Sequence, residues 1–317
     1  MSIRATATLA KPVTNLLFAV VAAQLTVPVV DGPSLLAHGA EPAAAAAQAA
    51  RGDAEEVAFL RVKREGDEPV ALEVAVVRCT PKNAAKKWPV VDLVAAVHVA
   101  EPSFYAELNK RFKEYDAVLY ELVAPEGTRV RAGQRGGGNP VSMLQHGLTD
   151  VLELQFQLEG VDYQADNLVH ADMSPAQLAE SMNERGEGFA QMFARMLGYS
   201  LARQQQTASS DGQLLGALFS DNRAMALRRA MAEQFEDMPA MVRAIEGQQG
   251  STLIAQRNKR ALAVLRKQID DGKKRLAIFY GAAHMDDIRE RLEKDFNLVP
   301  TKTDWLVAWK LQEKGDE

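Results

Sequence analysis

The sequence predicts an α/β (α+β) protein: a mixed sheet carrying two strand–His–helix–strand units, flanking helices and a helical insertion between the units. Three observations predict it. First, Val91 to Val97 is an apolar run broken only by Asp92, too short for a helix core and therefore a buried strand. His98 ends it, Pro102 sits at a natural first helical position, and Phe104, Leu108 and Phe112 recur at helical spacing. A second apolar run, Ala117 to Leu122, closes this unit and carries Glu121 near its end. Second, residues 275–311 repeat the arrangement with the run Leu276 to Tyr280, Gly281, His284, and a helix bearing Ile288 and Leu292. Third, residues 140–270 between the units read as almost wholly helical.

The N-terminus stands apart. Arg4 and Lys11 precede an uncharged run, Pro12 to Val30, and the small residues Ala37, Gly39 and Ala40 follow. This order resembles a secretory signal peptide, with a retained membrane anchor as the competing reading. Residues 1–40 are thus expected to be a signal peptide or N-terminal anchor, and 41–52 an alanine-rich linker. Residues 53–317 form the domain, exported to a periplasmic or extracellular space. Arg4 and Lys11 offset Asp31 and Glu41, so the net charge of −5 belongs to that domain. A mildly acidic surface without a lysine or arginine cluster excludes nucleic acid as an expected partner. The lone Cys79 excludes an internal disulfide and any multi-cysteine zinc site, and is expected to be a small buried hydrophobe.

Taken in order, Val57–Lys63 and Val70–Thr80 read as an antiparallel hairpin turning through Glu65-Gly66-Asp67-Glu68. The polar stretch Pro81–Trp88 leads into the first histidine unit. Ala124–Asn139, with Gly136-Gly137-Gly138, has the wrong spacing for a phosphate loop and reads as a surface loop or a lid. Val141–Leu158 has the spacing of one helix. The segment VDYQADNLVHADM is an extended or irregular link. Ser174-Pro175 caps a helix expected to reach about Leu201. Further helices are expected over Gln213–Glu236, over Pro239–Glu246 and after Ser251 until Gly272. In the last, Ile254, Arg257, Ala261 and Leu265 share one face. An unpaired cation there is costly, so Arg257 should meet a carboxylate or a bound anion, or else reach past the rim.

Both histidines follow strands at what would be the carboxyl edge of a sheet, where ligands bind in open α/β folds. His98, Glu121, Arg257 and His284 are therefore the candidate catalytic residues. Tyr163, Asp166, Asn167 and His170, with Asp172, cluster in the link. Turn chemistry explains such a cluster, and substrate contact is the alternative. His146, His38 and the methionines of the helices read as structural.

His98 in VAAVHVAEPSFY, Glu121 in VLYELV, Arg257 in AQRNKRAL and the GAAH of Gly281–His284 together resemble the TraB/PrgY/GumN family, which is related to the Tiki proteases and more distantly to ChaN and erythromycin-esterase-like proteins. The resemblance spans roughly residues 55–310. It departs from the family's paired Gly-x-x-His pattern at Ala95, where the family has glycine. The resemblance implies a metal-dependent peptidase with the two histidines and the glutamate at its active site. The residue types agree: His98, Glu121 and His284 offer a ligand set for a divalent ion such as Mn, Co or Zn, with positions left for water. Arg257 would then stabilise an oxyanion or hold a substrate carboxylate. The expected function is a metal-dependent hydrolase of peptide or small carbonyl substrates. A non-catalytic peptide- or ligand-binding protein and a metal-free His/Glu hydrolase are the alternatives.

Overall fold

The computed structural model describes residues 58–83, 85, 87, 89–125, 127–128, 151–187, 216–217, 219–235, 242 and 251–312. The N-terminal segment, the alanine-rich linker, the triple glycine, His38, His146 and most of Pro239–Glu246 lie outside the described residues. Among the described residues, no helix is long and apolar enough to cross a membrane.

The expected hairpin is present. Strand β1 (Leu60–Glu65) pairs antiparallel with β2 (Glu68–Pro81), and Gly66 takes the left-handed conformation (φ 61°) that the tight turn requires. β2 is long enough to serve as a hub. One edge pairs along Ala71–Pro81 with β9 (Leu298–Lys310), so β1 and β3 (Val90–Ala96) share the other edge end to end. Beyond β3 the sheet is parallel, as expected for strands buried on both faces and rich in Val, Leu and Ile.

After β3 the chain forms the short β4 (Val99–Ala100) and helix α1 (Pro102–Phe112), which buries Phe104, Tyr105, Leu108 and Phe112. It then returns as β5 (Ala117–Tyr120). The order across the sheet is β3, β8, β5, β7, with β8 (Arg275–Gly281) inserted between the two strands of the first histidine unit. The mixed α/β sheet expected from the sequence is therefore observed, with seven strands among the described residues.

The block between the two units differs from expectation in its details. The helix predicted to run to Leu158 stops by Glu153, which has φ 54°. Arg228 holds that break by donating from Nε to Leu152 O and from Nη2 to Glu153 O. The chain continues as β6 (Gln155–Phe156), which pairs with β4, and a single turn α2 (Gln157–Gly160). The link holds a true sheet strand, β7 (Leu168–His170), whose three residues pair in parallel with β5. Such a short strand carries no period for sequence to reveal.

Helix α3 (Pro175–Glu184) begins with the expected Ser174 cap, completed by a reciprocal bond from the Ser174 N–H to the Gln177 side chain. It ends at Glu184, short of Leu201, followed by Gly186 at φ 64°. Within the expected span 213–236, helix α4 covers Arg223–Phe235, and a turn at 219–222 precedes it. The final insertion helix starts with a π-helical turn, Thr252–Gln256, capped by Ser251 and continuous with α5 (Arg257–Asp270). Helix α6 (Met285–Phe296) buries Met285, Ile288 and Leu292.

Candidate functional site at the carboxyl edge of the parallel strands

The order β3-β8-β5-β7 decides where the site lies. Parallel strands end on one edge, and just past those ends come His98, His284, Glu121 and, two residues after β7, Asp172. Because β8 runs between β3 and β5, its following 3-10 turn, Ala282–His284, falls between the turns bearing His98 and Glu121. Residues far apart in the chain thus meet through strand order alone.

Glu121 is fixed at both oxygens. The β5–β8 ladder continues one residue past β5, with Glu121 N–H donating to Phe279 O at 3.2 Å, and this aims the side chain across β8. The Gly281 N–H donates to Glu121 Oε2 at 2.7 Å, and Arg257 Nη2 donates to Oε1 at 2.6 Å. Glycine at 281 suits this close approach: a Cβ there would stand 3.3 Å from Oε2, so the carboxylate would have to give by a few tenths of an ångström. The β3–β8 register sets Ala96, rather than Ala95, beside Gly281. Burial pushes the Glu121 carboxyl up, but His284, Arg257 and His98 together hold it well below the usual carboxylate range. It is an ionised carboxylate.

Arg257 behaves as its position on an apolar face demanded. Its Nε and Nη2 form a two-point pair with Asp172, at 2.9 Å to Oδ1 and 2.6 Å to Oδ2, alongside the bond to Glu121. Burial alone would lower its proton affinity, but the two carboxylates raise it above the ordinary arginine value. The π-helical turn just before it places the guanidinium, a local widening common at functional sites. With two of its three nitrogens committed to carboxylates, Arg257 positions Glu121; the expected roles on an oxyanion or substrate carboxylate have no support in this geometry.

His284 is fully buried. Its Nδ1 lies 2.7 Å from Asn258 Oδ1, and its Nε2 lies 3.4 Å from Glu121 Oε1 without a well-formed hydrogen bond. The ring also packs edge-on against Tyr280, whose hydroxyl donates to Ala171 O at 2.7 Å beside Asp172. His98 is half-buried. Burial pushes its imidazole below the ordinary 6.5; Glu121 opposes this, while Arg257 and His284 add to it. The Gln157 side chain raises the proton affinity of His98 slightly, and Gln157 N–H donates to His98 O at 2.8 Å. Gln157 Oε1 is buried and lacks a well-formed hydrogen bond, while Nε2 donates to the Tyr163 hydroxyl at 2.9 Å.

The four candidate catalytic residues are therefore brought together. The four candidate substrate-contact residues are not. His170 stands at the same edge, with Nε2 2.6 Å from Leu122 O and its ring near Tyr120. Tyr163 is buried behind Gln157 and packs on Tyr120. Asn167 donates to Phe112 O and Tyr115 O and immediately precedes β7, so it tethers the opposite edge of the sheet. Asp166 is exposed at that same far edge.

Two site residues, Asn258 and Gln157, escaped the sequence reading, and nothing in the sequence pointed to either. Asp172 belongs to the link cluster, and its role as the carboxylate that Arg257 required emerges only from their pairing.

Among the described residues no three His, Cys, Asp or Glu side chains form a complete metal-binding group. His284 Nε2 and Glu121 Oε1 do fit two ligands of one ion. Their 3.4 Å separation is close to the ~3.3 Å edge of a tetrahedron with bonds of about 2.0–2.1 Å. His98 is within electrostatic reach of both.

No protein-family model, curated protein or solved structure matches the chain.

Proposed function

We propose that this chain is a hydrolase of peptide or similar carbonyl substrates, working from His98, Glu121 and His284, with a divalent ion as its cofactor. The observation that carries this reading is the buried Nε2 of His284 facing an oxygen of the ionised Glu121 at 3.4 Å. A buried ring nitrogen that faces a carboxylate oxygen without a bond is costly, and a cation on or between the two atoms relieves it. His284, Glu121 and His98 are the side chains that would hold a divalent ion there; bound, it would lower the pKa of a water and polarise the substrate carbonyl. The TraB/PrgY/GumN resemblance points the same way, since it rests on these same residues.

This chain's own groups prepare the site. Arg257 and the Gly281 N–H hold Glu121 in one orientation, and His284, Arg257 and His98 keep it ionised. His98, kept neutral above its lowered pKa, has a lone pair to bind an ion or accept a proton from water.

A second reading has support of its own. Both oxygens of Glu121 already accept hydrogen bonds, which favours a proton over a metal between His284 and Glu121. The chain would then be a metal-free hydrolase, with His98 as the base.

The test is metal content by mass spectrometry on protein purified without chelator, alongside His98→Ala and His284→Ala. A screen of peptide and ester substrates with Mn, Co and Zn accompanies it. Stoichiometric metal lost in both variants, with metal-restored hydrolysis, is the expected result. Hydrolysis that chelation leaves untouched selects the metal-free reading. A folded protein that hydrolyses nothing but retains a peptide or small ligand is a binding protein instead. Export of the chain is proposed alongside, and cell fractionation with N-terminal sequencing tests it.

A further inference from the structure

We infer that Asn258 is a positioning residue that fixes the tautomer of His284, holding the proton on Nδ1 and leaving Nε2 to face Glu121. This deepens the hydrolase reading, and its functional meaning rests on that reading, but its test does not. Asn258 is fully buried at the start of α5, one residue after Arg257. Its Nδ2 has two acceptors, His284 O at 3.1 Å and Asp287 Oδ2 at 2.8 Å. An amide nitrogen is donor-only, so these two bonds fix the orientation of the carboxamide. Oδ1 is thereby turned to His284 Nδ1, 2.7 Å away. An oxygen acceptor at that distance requires a proton on Nδ1.

The consequence falls on the other nitrogen. With Nδ1 held as N–H, Nε2 is left as the position that carries a lone pair, a proton or an ion towards Glu121 Oε1. Free neutral histidine prefers the opposite tautomer, so the protein must impose this one. Asn258 also anchors the backbone of His284 through its carbonyl, so ring and main chain are set by one side chain. Asp287 in turn is braced by Arg291, Nε to Oδ2 at 2.7 Å, which steadies the acceptor that orients the amide.

The experiment is nitrogen-detected NMR on the full chain labelled with 15N-histidine, at mildly alkaline pH, with His284→Gln assigning the signal. The expected result is a protonated, pyrrole-type Nδ1 for His284, whatever Nε2 carries. Asn258→Asp, which keeps an acceptor at that place, should preserve it. Asn258→Leu, close in volume but without an acceptor, should convert Nδ1 to the unprotonated, pyridine-type form. An unprotonated Nδ1 in the unsubstituted protein overturns the inference without need of any variant. So does a pyrrole-type Nδ1 that persists on a neutral ring in a folded, chelator-treated Asn258→Leu protein. Because the spectra are recorded on chelator-treated protein and need no activity, a failed hydrolase assay and a failed tautomer assignment remain distinct.

Discussion

Arg257 and Asp172 form a buried two-point ion pair: the side chains are 3% and 0% exposed, and the contacts are 2.9 and 2.6 Å. The pair joins helix α5 to the segment just past β7, and Arg257 passes the constraint on to Glu121. Fold and site share this cation.

Asp172→Ala should therefore be strongly destabilising. It removes the two-point partner and leaves Arg257 buried with Glu121 alone, a change that typically costs about 3–5 kcal/mol. Urea unfolding measures it. A loss below about 1 kcal/mol would show that water reaches the site and screens the pair.

Gly281→Ala tests the close approach of Glu121. The added methyl would sit 3.3 Å from Oε2, so the carboxylate must shift by a few tenths of an ångström and its 2.7 Å bond to the Gly281 N–H must weaken. We expect the variant to fold with a destabilisation of about 1–2 kcal/mol, as for other overpacked sites. On the proposed hydrolase reading, its kcat should fall more than its KM rises, because the substitution displaces Glu121 itself. Wild-type kcat would refute this.

Gly160→Ala probes the support of Gln157. A Cβ at residue 160 would lie 2.4 to 2.8 Å from atoms of Tyr105, which is itself buried and bonded through its hydroxyl to Val97 O. Neither side can yield, so a loss of about 1–3 kcal/mol is expected. Thermal melting of the variant beside Gly66→Ala, where open space surrounds the glycine but φ is 61°, separates collision from backbone strain.

His98 should impose a pH dependence on stability. Its folded pKa lies below the ordinary 6.5, so between the two values the unfolded chain binds more protons. Its contribution is then full above pH 6.5 and is lost as pH falls through the folded pKa. With chelator present, urea unfolding from pH 8 to 5 should show wild type losing stability below 6.5 more steeply than His98→Gln. Parallel curves would mean that the His98 pKa is unshifted. If the chain is the proposed hydrolase with His98 as its base, the acid limb of its activity should lie below pH 6.5.

The sequence by itself determined the local units. Valine-rich runs too short for helices gave buried strands, Pro102 and Ser174 marked helix starts, and the apolar face of α5 carried an arginine that had to find a carboxylate. Those signals are local because periodicity and capping act over three or four residues. That His98, Glu121 and His284 would gather was legible too, since each follows a strand.

What only the tertiary structure decided was everything that depends on strand order. The insertion of β8 between β3 and β5 places His284 between its two partners, and the three-residue β7 delivers Asp172 to Arg257. It also sends Asn167 to the far edge of the sheet, away from the cluster that chain proximity suggested. Asn258 and Gln157 carry no signature, because a carboxamide acts on a histidine only once distant segments are packed together. Pairing between remote strands is set by the burial of whole faces, and no short window of sequence holds that information.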